Sequence, residues 1–289
     1  MHPTIKLIAL LFTITIQCQS DFGKLDRLFV IPDMLYENSG MERVSSSDNI
    51  YIINDSGNSN KLYAVDPESG SIRQEITVEN ARNRDWEDLA SRGSDLFIGD
   101  FGNNGNHRDD LTIYWLSHID SLKGVKVSAF AKAISFTLED QTKFPPKKKD
   151  RNFDIEAFIA KGDYFYLFTR NRSSQFDGTT KCYRLPIKEG SHIATLIGSY
   201  ITCGDSDDCQ ITGAALDDSS GKIALLSHNK VWIIKDYPSD DFFKGSIQKI
   251  KLGHDSQKES LFFQNESTLI IGEESSKKDG GNVYCLKLE

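Results

Sequence analysis

The sequence predicts an all-β fold of the β-propeller type, with five blades, or six as the alternative, and a ring closed by an N-terminal strand. Three observations lead to this prediction. A unit of three or four short strands recurs along the chain, no segment of useful length has helical periodicity, and one strand-like segment precedes the first unit. Arranging such sheets in a circle leaves only short, protected edges.

Each unit opens with a strand that has polar residues near its start. These opening strands are assigned to residues 39–44, 85–90, 154–159, 210–215 and 257–262. After each one comes a turn rich in Asp, Gly, Ser or Asn. An apolar second strand follows, at residues 50–53, 96–98, 165–168, 223–226 and 269–271. The regular order predicts that equivalent strands occupy equivalent places in every blade.

Third and fourth strands complete the units. The third strands are predicted at residues 61–65, 111–115, 181–185, 230–234 and 282–286. Outer strands are predicted at 71–77, 133–138, 192–201 and 246–252, and the fifth copy ends without one. The strand-like segment 24–30 supplies the missing strand and closes the ring. The stretch 116–151 leaves room for a sixth blade, but its prolines and lysine run favour an insertion.

The N-terminus is typical of an export signal. Lys6 precedes an apolar run, Leu7–Ile16, which is too short to span a bilayer and has the length of a signal-peptide core. Two interpretations stay open: cleavage after Ser20, or lipid attachment at Cys18 in an imperfect lipoprotein signal. We therefore expect residues 1–20 to be a signal and 21–289 to form one domain. The mature protein is expected to be periplasmic, anchored to the outer membrane or secreted.

The overall charge disfavours nucleic acid as a partner. The net charge is -8, and the compact basic run at Pro145–Lys149 is typical of a solvated loop. We expect a monomer whose contact with a membrane depends on the lipid at Cys18. In an exported chain, Cys203 and Cys209 can form a disulfide across the polar loop between them; a reduced pair is the alternative.

Glutamates recur in the predicted opening strands and indicate a metal site. The third residues of the second to fifth opening strands are Glu87, Glu156, Thr212 and Glu259, and Glu42, the fourth residue of the first strand, is matched to them. Because opening strands line the axis of a propeller, these carboxylates would form an acidic ring that needs compensation. Ca²⁺ is the expected cofactor, since it accepts six to eight oxygen ligands in flexible geometry, and Asp55 is added to the expected ligands. The alternative is that these acids accept backbone hydrogen bonds between blades.

The ends of the second strands are expected to meet at the same mouth. They supply the candidate catalytic residues Asp100, Arg170 and His228, to which Glu87 and the nearby Arg108 are added. Carboxylates, an imidazole and arginines around a metal could perform hydrolysis, with a carboxylate as base and arginine binding negative charge. The alternative for the Asp and Asn residues is ordinary turn formation.

Several of these segments carry a resemblance. They are residues 54–57, 85–88, 99–104 with Arg108, 154–157 and 210–213. They resemble exported propeller proteins of Bacteroidetes-type bacteria that have no characterised activity. More distantly, the chain is similar to calcium-dependent propellers of the apyrase, phytase and strictosidine-synthase/lactonase types. The resemblance implies a Ca²⁺ ion at the axis held by Glu, Asp and Asn side chains.

Two functions are consistent with these patterns. The first is an exported, metal-dependent hydrolase of phosphate-ester or ester/lactone substrates, with a small molecule or glycan bound in the central channel. The second is a non-catalytic module that binds a glycan, a peptide or a partner protein at the cell surface. The sequence leaves the choice between enzyme and binding module open.

Overall fold

The structure, a computed structural model, describes residues 22–275 and 281–289. The predicted export signal and the lipid-attachment candidate Cys18 lie outside the described residues. Within the described part of the chain, no helix has the length and apolarity needed to cross a membrane.

The described strands form a propeller of four-stranded antiparallel units, which confirms the predicted fold class. The chain begins with β1 (Asp26–Val30). The first unit contains β2 (Asn38–Glu42), β3 (Ile50–Asn54), β4 (Lys61–Val65) and β5 (Ile72–Val78). The second contains β6 (Trp86–Arg92), β7 (Asp95–Asp100), β8 (Leu111–Leu116), then β9 (Lys126–Ala129), which pairs elsewhere, and β10 (Lys132–Leu138).

Three further units follow in the same order. The third contains β11 (Asp154–Lys161), β12 (Tyr164–Arg170), β13 (Thr179–Pro186) and β14 (Gly190–Ile201). A helical turn, α1 (Ser206–Cys209), leads to the fourth unit, which contains β15 (Gly213–Leu216), β16 (Ile223–Ser227), β17 (Lys230–Lys235) and β18 (Ser246–Lys251). The last unit contains β19 (Lys258–Asn265), β20 (Thr268–Glu273) and β21 (Asn282–Lys287). Short 3-10 turns lie at Asp33–Leu35, Ile119–Ser121, Lys148–Asp150 and Phe242–Lys244.

The inner strands of the five described units form a ring. Strand β2 contacts β6, β6 contacts β11, β11 contacts β15, β15 contacts β19, and β19 contacts β2. β1 pairs antiparallel with β21 and so completes the last unit with a strand from the opposite end of the described chain. The stretch in which the sequence left room for a sixth blade supplies β9 and β10 instead. β10 is the outer strand of the second unit, and β9 pairs in parallel with β5 of the first.

Apolar contact between neighbouring units holds the ring together. The described residues contain five buried hydrophobic clusters, each built mainly from the facing sheets of two adjacent units. Between the first and second units, for example, Ile53 and Leu62 pack with Trp86 and Ile98. Second strands such as β3 are buried on both faces, and for this reason they have continuous apolar runs without polar alternation.

A β-bulge near the start of four inner strands sets the register of the axial residues. The extra, unpaired residue is Ser39 in β2, Glu87 in β6, Glu156 in β11 and Glu259 in β19. In the fourth unit the corresponding residue is Thr212, which immediately precedes β15. A bulge re-aims the side chain of its extra residue, and bulges are common beside functional sites.

Asp88, the residue after the bulge in β6, joins inner strands around the axis. It is fully buried, and its carboxylate accepts the backbone N–H groups of Phe158 at 3.0 Å and of Leu89 at 2.8 Å. The backbone of Ala214 in β15 is a further donor to this carboxylate. The structural role that the sequence offered as the alternative for the glutamates thus belongs to this aspartate.

Candidate functional site

Three carboxylates meet at the mouth of the ring where the bulges lie. Asp55, Asp85 and Glu87 each offer one oxygen, and these three oxygens lie within 4.8 Å of one another. Two oxygens that bind one Ca²⁺ ion at about 2.4 Å can be at most about 4.8 Å apart, so this spacing is compatible with a shared cation. We refer to Asp55, Asp85 and Glu87 as the acid pocket.

Two neighbouring units supply the acid pocket. Asp55 follows directly after β3, and its backbone N–H donates to the carbonyl of Glu37 at 2.9 Å. Asp85 precedes β6, and its N–H donates to Oδ1 of Asp100 at 3.1 Å. Since alternate residues of an extended chain point to the same side, Asp85 and Glu87 face the pocket together, while Trp86 between them is fully buried in the core.

Glu87 is the most enclosed member of the acid pocket. Its side chain is 5 % exposed, and among the described residues no hydrogen bond or ion pair reaches its carboxylate. Burial raises the pKa of Glu87 well above its ordinary value, and the negative charges of Glu156 and Asp55 add to the effect. A buried carboxylate that lacks a protein partner is costly unless a proton or a cation neutralises it.

The other two carboxylates respond to the same surroundings. Burial raises the pKa of Asp55 to about 7, with a further contribution from the charge of Asp85, although the backbone N–H of Ser56 opposes it. Burial also raises the pKa of Asp85, and the guanidinium group of Arg108 acts in the opposite direction. The acid pocket therefore has three negative groups and no positive side chain in direct ion-pair contact with them in the described structure.

The loop after β7 forms one wall of the acid pocket. The backbone of Gly102 lies against it, and a β-carbon at this position would overlap Oε1 of Glu87 and the carboxylate of Asp85. Arg108 holds the loop by donating to the carbonyl of Gly102 at 2.8 Å and by pairing with Asp100 at 3.2 Å. The predicted catalytic residues Asp100 and Arg108 thus brace the wall, because both are engaged by other protein groups.

A second group of side chains at the mouth is electrically compensated. Arg170, at the end of β12, lies 3.0 Å from Glu156 and 3.5 Å from Glu259. Arg172 lies 2.6 Å from Asp154 and 2.7 Å from Glu156. Although burial opposes it, the two guanidinium groups hold the pKa of Glu156 below its ordinary value. Glu156 and Glu259 are therefore bound by arginine and are not part of the acid pocket.

His228 lies beside this compensated group. Its Nε2 is 3.6 Å from Oε1 of Glu259, too long for a hydrogen bond, and this buried atom has no hydrogen-bond partner among the described residues. The backbone carbonyl of His228 accepts Nζ of the fully buried Lys258 at 3.1 Å, which fixes the backbone of the residue. Among the predicted catalytic residues, His228 therefore has a ring nitrogen that no described residue contacts by a hydrogen bond.

Glu42 is out of the predicted register. Ser39 occupies the position equivalent to Glu87, because β2 pairs with β3 through Asn38 and Asn54 and bulges at Ser39. Glu42 lies three residues further along, in a small cavity at the other end of the inner strands that it shares with Asp218. Burial raises the pKa of Glu42 to about 8. Its assignment to the axial ring with Glu87, Glu156 and Glu259 was wrong.

Three important residues were absent from the predicted site. Asp85 lies two residues before Glu87, Asp154 two before Glu156, and Arg172 two after Arg170. The i, i+2 spacing of extended chain was the signal available in the sequence, since it places both members of each pair on one side. Elsewhere, Cys203 and Cys209 form a disulfide, as their spacing allowed, and Cys182 and Cys285 are buried free thiols.

Comparison with known proteins supports the fold alone. No protein-family model matches this chain, and no curated protein is similar to it. The PQQ-bound aldose sugar dehydrogenase (Adh) from Streptomyces coelicolor is similar in structure, with a TM-score of 0.51, 11% sequence identity, and coverage of 92% of this chain and 98% of that one. Hydrazine synthase from Kuenenia stuttgartiensis has a TM-score of 0.48, 9% identity, and coverage of 86% and 71%. The first of these neighbours is consistent with the propeller-like fold.

Proposed function

We propose that this propeller is an exported protein that binds one divalent cation, Ca²⁺, in the acid pocket of Asp55, Asp85 and Glu87. The observation that supports this is the buried carboxylate of Glu87, which no described donor reaches and which faces two further carboxylates within 4.8 Å. Protons neutralise these carboxylates below their raised pKa values. A cation that displaces the protons compensates the negative charges and uses the same oxygens as ligands.

Ca²⁺ suits the pocket better than Mg²⁺. Three carboxylates supply three to six oxygens, and Ca²⁺ accepts six to eight in flexible geometry, whereas Mg²⁺ demands a near-ideal octahedron. Asp55 and Asp85 lie just outside regular strands, so the hydrogen bonds of a β-ladder do not fix the positions of their carboxylates. Such a site suits the flexible coordination geometry of Ca²⁺. We expect an affinity of about 10⁻⁴–10⁻³ M, which is the range of extracellular calcium modules.

Metal-dependent hydrolysis is the activity we propose for this site, with phosphate-ester or ester/lactone substrates. When bound, the ion would supply Lewis-acid chemistry. Two residues at the same mouth would accept and donate the proton in hydrolysis: His228, whose buried Nε2 has no hydrogen-bond partner among the described residues, and Glu259, whose Oε1 lies 3.6 Å from that nitrogen. Arg170, which lies between Glu156 and Glu259, would hold the latter carboxylate in place.

A non-catalytic binding module is the second candidate, and one observation favours it. Asp100 and Arg108, both predicted to be catalytic, instead brace the loop that forms the wall of the pocket. A cation would then serve to present a surface to a glycan, a peptide or a partner protein outside the cell.

Calorimetric titration with Ca²⁺ and Mg²⁺ tests the cation site. We expect saturable Ca²⁺ binding by the wild-type protein, weaker Mg²⁺ binding, and no Ca²⁺ binding by Glu87→Gln. The matched control is Glu266→Gln, because Glu266 is exposed at the tip of the β19–β20 hairpin. The absence of Ca²⁺ binding by the wild-type protein, or equal binding by Glu87→Gln, would contradict the proposal.

A panel of phosphatase, esterase and lactonase substrates, with and without Ca²⁺, separates enzyme from binding module. Activity that requires Ca²⁺ and is lost in Glu87→Gln and His228→Ala supports hydrolysis. Ca²⁺ binding without any activity across the panel favours the module.

A further inference from the structure

A cleft opens beside the acid pocket and shares residues with it. Its volume is about 470 Å³, within the usual range for small-molecule sites, and its lining includes Ser56, Arg84, Asp85, Asn104 and His107. Asp85 belongs to the acid pocket itself, and Ser56 hydrogen-bonds to Asp85. A ligand in the cleft would therefore reach a cation held by Asp55, Asp85 and Glu87.

The arginines around the cleft and the mouth are already paired with acids. Arg84 pairs with Asp110, Arg108 with Asp100 and Asp110, Arg170 with Glu156 and Glu259, and Arg172 with Asp154 and Glu156. When the acid pocket is added, carboxylates outnumber guanidinium groups at this end of the molecule. Tight phosphate recognition uses bidentate hydrogen bonds from guanidinium groups, and here those groups are occupied by protein carboxylates.

Apart from the acidic residues Asp85 and Asp109, the polar side chains that remain in the cleft are uncharged. Asn104 and His107 have exposed side chains, and neither has a side-chain hydrogen bond or ion pair to a described residue. The lining has no aliphatic or aromatic side chain that would favour an apolar ligand. Amide and imidazole groups both donate and accept hydrogen bonds, which matches a ligand that carries several hydroxyl groups.

We infer that the cleft binds an uncharged, hydroxyl-rich ligand of the carbohydrate class, whose oxygens complete the coordination of the cation. This inference rests on the proposed Ca²⁺ site. The coordination number of Ca²⁺ supports the inference. The ion takes six to eight oxygen ligands, so three carboxylates that each give one oxygen leave positions for oxygens of the ligand. The charge of the cleft also favours an uncharged ligand over the phosphate esters among the proposed substrates, because a phosphate would meet the carboxylate of Asp109 and guanidinium groups that are already paired with acids.

Calorimetric titration of the Ca²⁺-loaded protein tests the inference with matched probes. The probes are D-glucose, D-mannose and D-galactose, each compared with its own 6-phosphate at equal ionic strength. We expect at least one neutral sugar to bind, and its 6-phosphate to bind about tenfold more weakly or not at all because of like-charge repulsion. Tighter binding of the 6-phosphates than of the neutral sugars, or no binding of any neutral sugar, would overturn the inference.

Two variants locate the sugar. Asn104→Ala and His107→Ala should each weaken sugar binding about fivefold or more through the lost hydrogen bond, while Ca²⁺ affinity stays the same. The control, Asn265→Ala, removes an exposed amide from the β19–β20 hairpin tip and should change neither. Unchanged sugar affinity in both cleft variants would contradict the location. If Ca²⁺ binds and no sugar does, only this inference fails; if Ca²⁺ does not bind, the proposed function fails too.

Discussion

Gly102 lies against the carboxylate of Glu87 so closely that a β-carbon at position 102 would overlap Oε1. The same β-carbon would meet the carboxylate of Asp85. Residue 102 therefore has to be glycine for two of the three carboxylates of the acid pocket to keep their positions. The carbonyl of Gly102 is in turn held by Arg108 at 2.8 Å, so the wall has little freedom to retreat.

Gly102→Ala should accordingly weaken Ca²⁺ binding by at least about tenfold, or about 1.4 kcal/mol, because the added methyl group displaces ligand oxygens. The measurement is calorimetric titration, with circular dichroism to show that the variant is folded. Gly204→Ala is the matched control, since no atom lies within 4 Å of a β-carbon built at Gly204. Wild-type affinity in Gly102→Ala would show that the loop is not a wall of the cation site.

Asp88→Ala should destabilise the ring without acting on the cation. The carboxylate of Asp88 accepts N–H groups from β6 and β11, and the truncation leaves these buried donors without an acceptor. The free energy of unfolding should fall by on the order of 3 kcal/mol, since each orphaned donor costs about 1–3 kcal/mol. Urea denaturation measures this loss. Asp88→Asn, which keeps one oxygen acceptor, should lose less, and equal losses in the two variants would contradict the bridging role.

Glu42 should make the protein less stable as the pH rises. Burial raises the pKa of Glu42 from its usual 4.5 to about 8, with the negative charge of Asp218 adding to the effect. Between these two pH values the unfolded chain binds fewer protons at this site than the folded protein, so the contribution of Glu42 to stability decreases with pH and levels off above about 8.

The difference in unfolding free energy between the wild-type protein and Glu42→Gln measures this effect from pH 4.5 to 9. We expect the wild-type protein to lose stability relative to the variant across that range. Glu266→Gln controls for the removal of a surface carboxylate. A pH-independent difference between the wild-type protein and Glu42→Gln would show that solvent reaches Glu42 freely in the folded state.

Much of the fold was predictable because strands have short, local signals. The repeated apolar runs and turn residues placed most strands correctly, and the unpaired segment at the N-terminal end of the domain identified β1 as the closing strand. The main exception is β9, a strand that was not predicted. It belongs to an insertion in the second unit but pairs with β5 of the first unit. Nothing in its local sequence indicates which sheet it joins.

The site was less predictable, and Glu42 shows why. The sequence repeat matched Glu42 to Glu87. In the structure, β-bulges determine which residues of the inner strands are equivalent, and the bulge of β2 lies at Ser39, whereas that of β6 lies at Glu87. The position of a bulge depends on the hydrogen bonds between the bulged strand and the neighbouring strand. The spacing of residues in the sequence does not reveal these bonds. The place of Asp85 in the site could have been predicted from its i, i+2 spacing to Glu87. The contacts of Arg108 with Gly102 and Asp100 could not have been predicted, because they depend on the path of the folded loop.

Thermal unfolding in Ca²⁺ and in EDTA, with the wild-type protein and Glu87→Gln, tests the cation site most directly. At a Ca²⁺ concentration about 100 times the Kd, binding stabilises the folded state by about 2.7 kcal/mol, which should raise the Tm of the wild-type protein by about 5 °C or more over its value in EDTA. Glu87→Gln should show no such shift, and in EDTA it should melt above the wild-type protein because the amide removes the cost of burying or protonating this carboxylate. Equal wild-type melting temperatures in Ca²⁺ and EDTA would contradict a cation site at Asp55, Asp85 and Glu87.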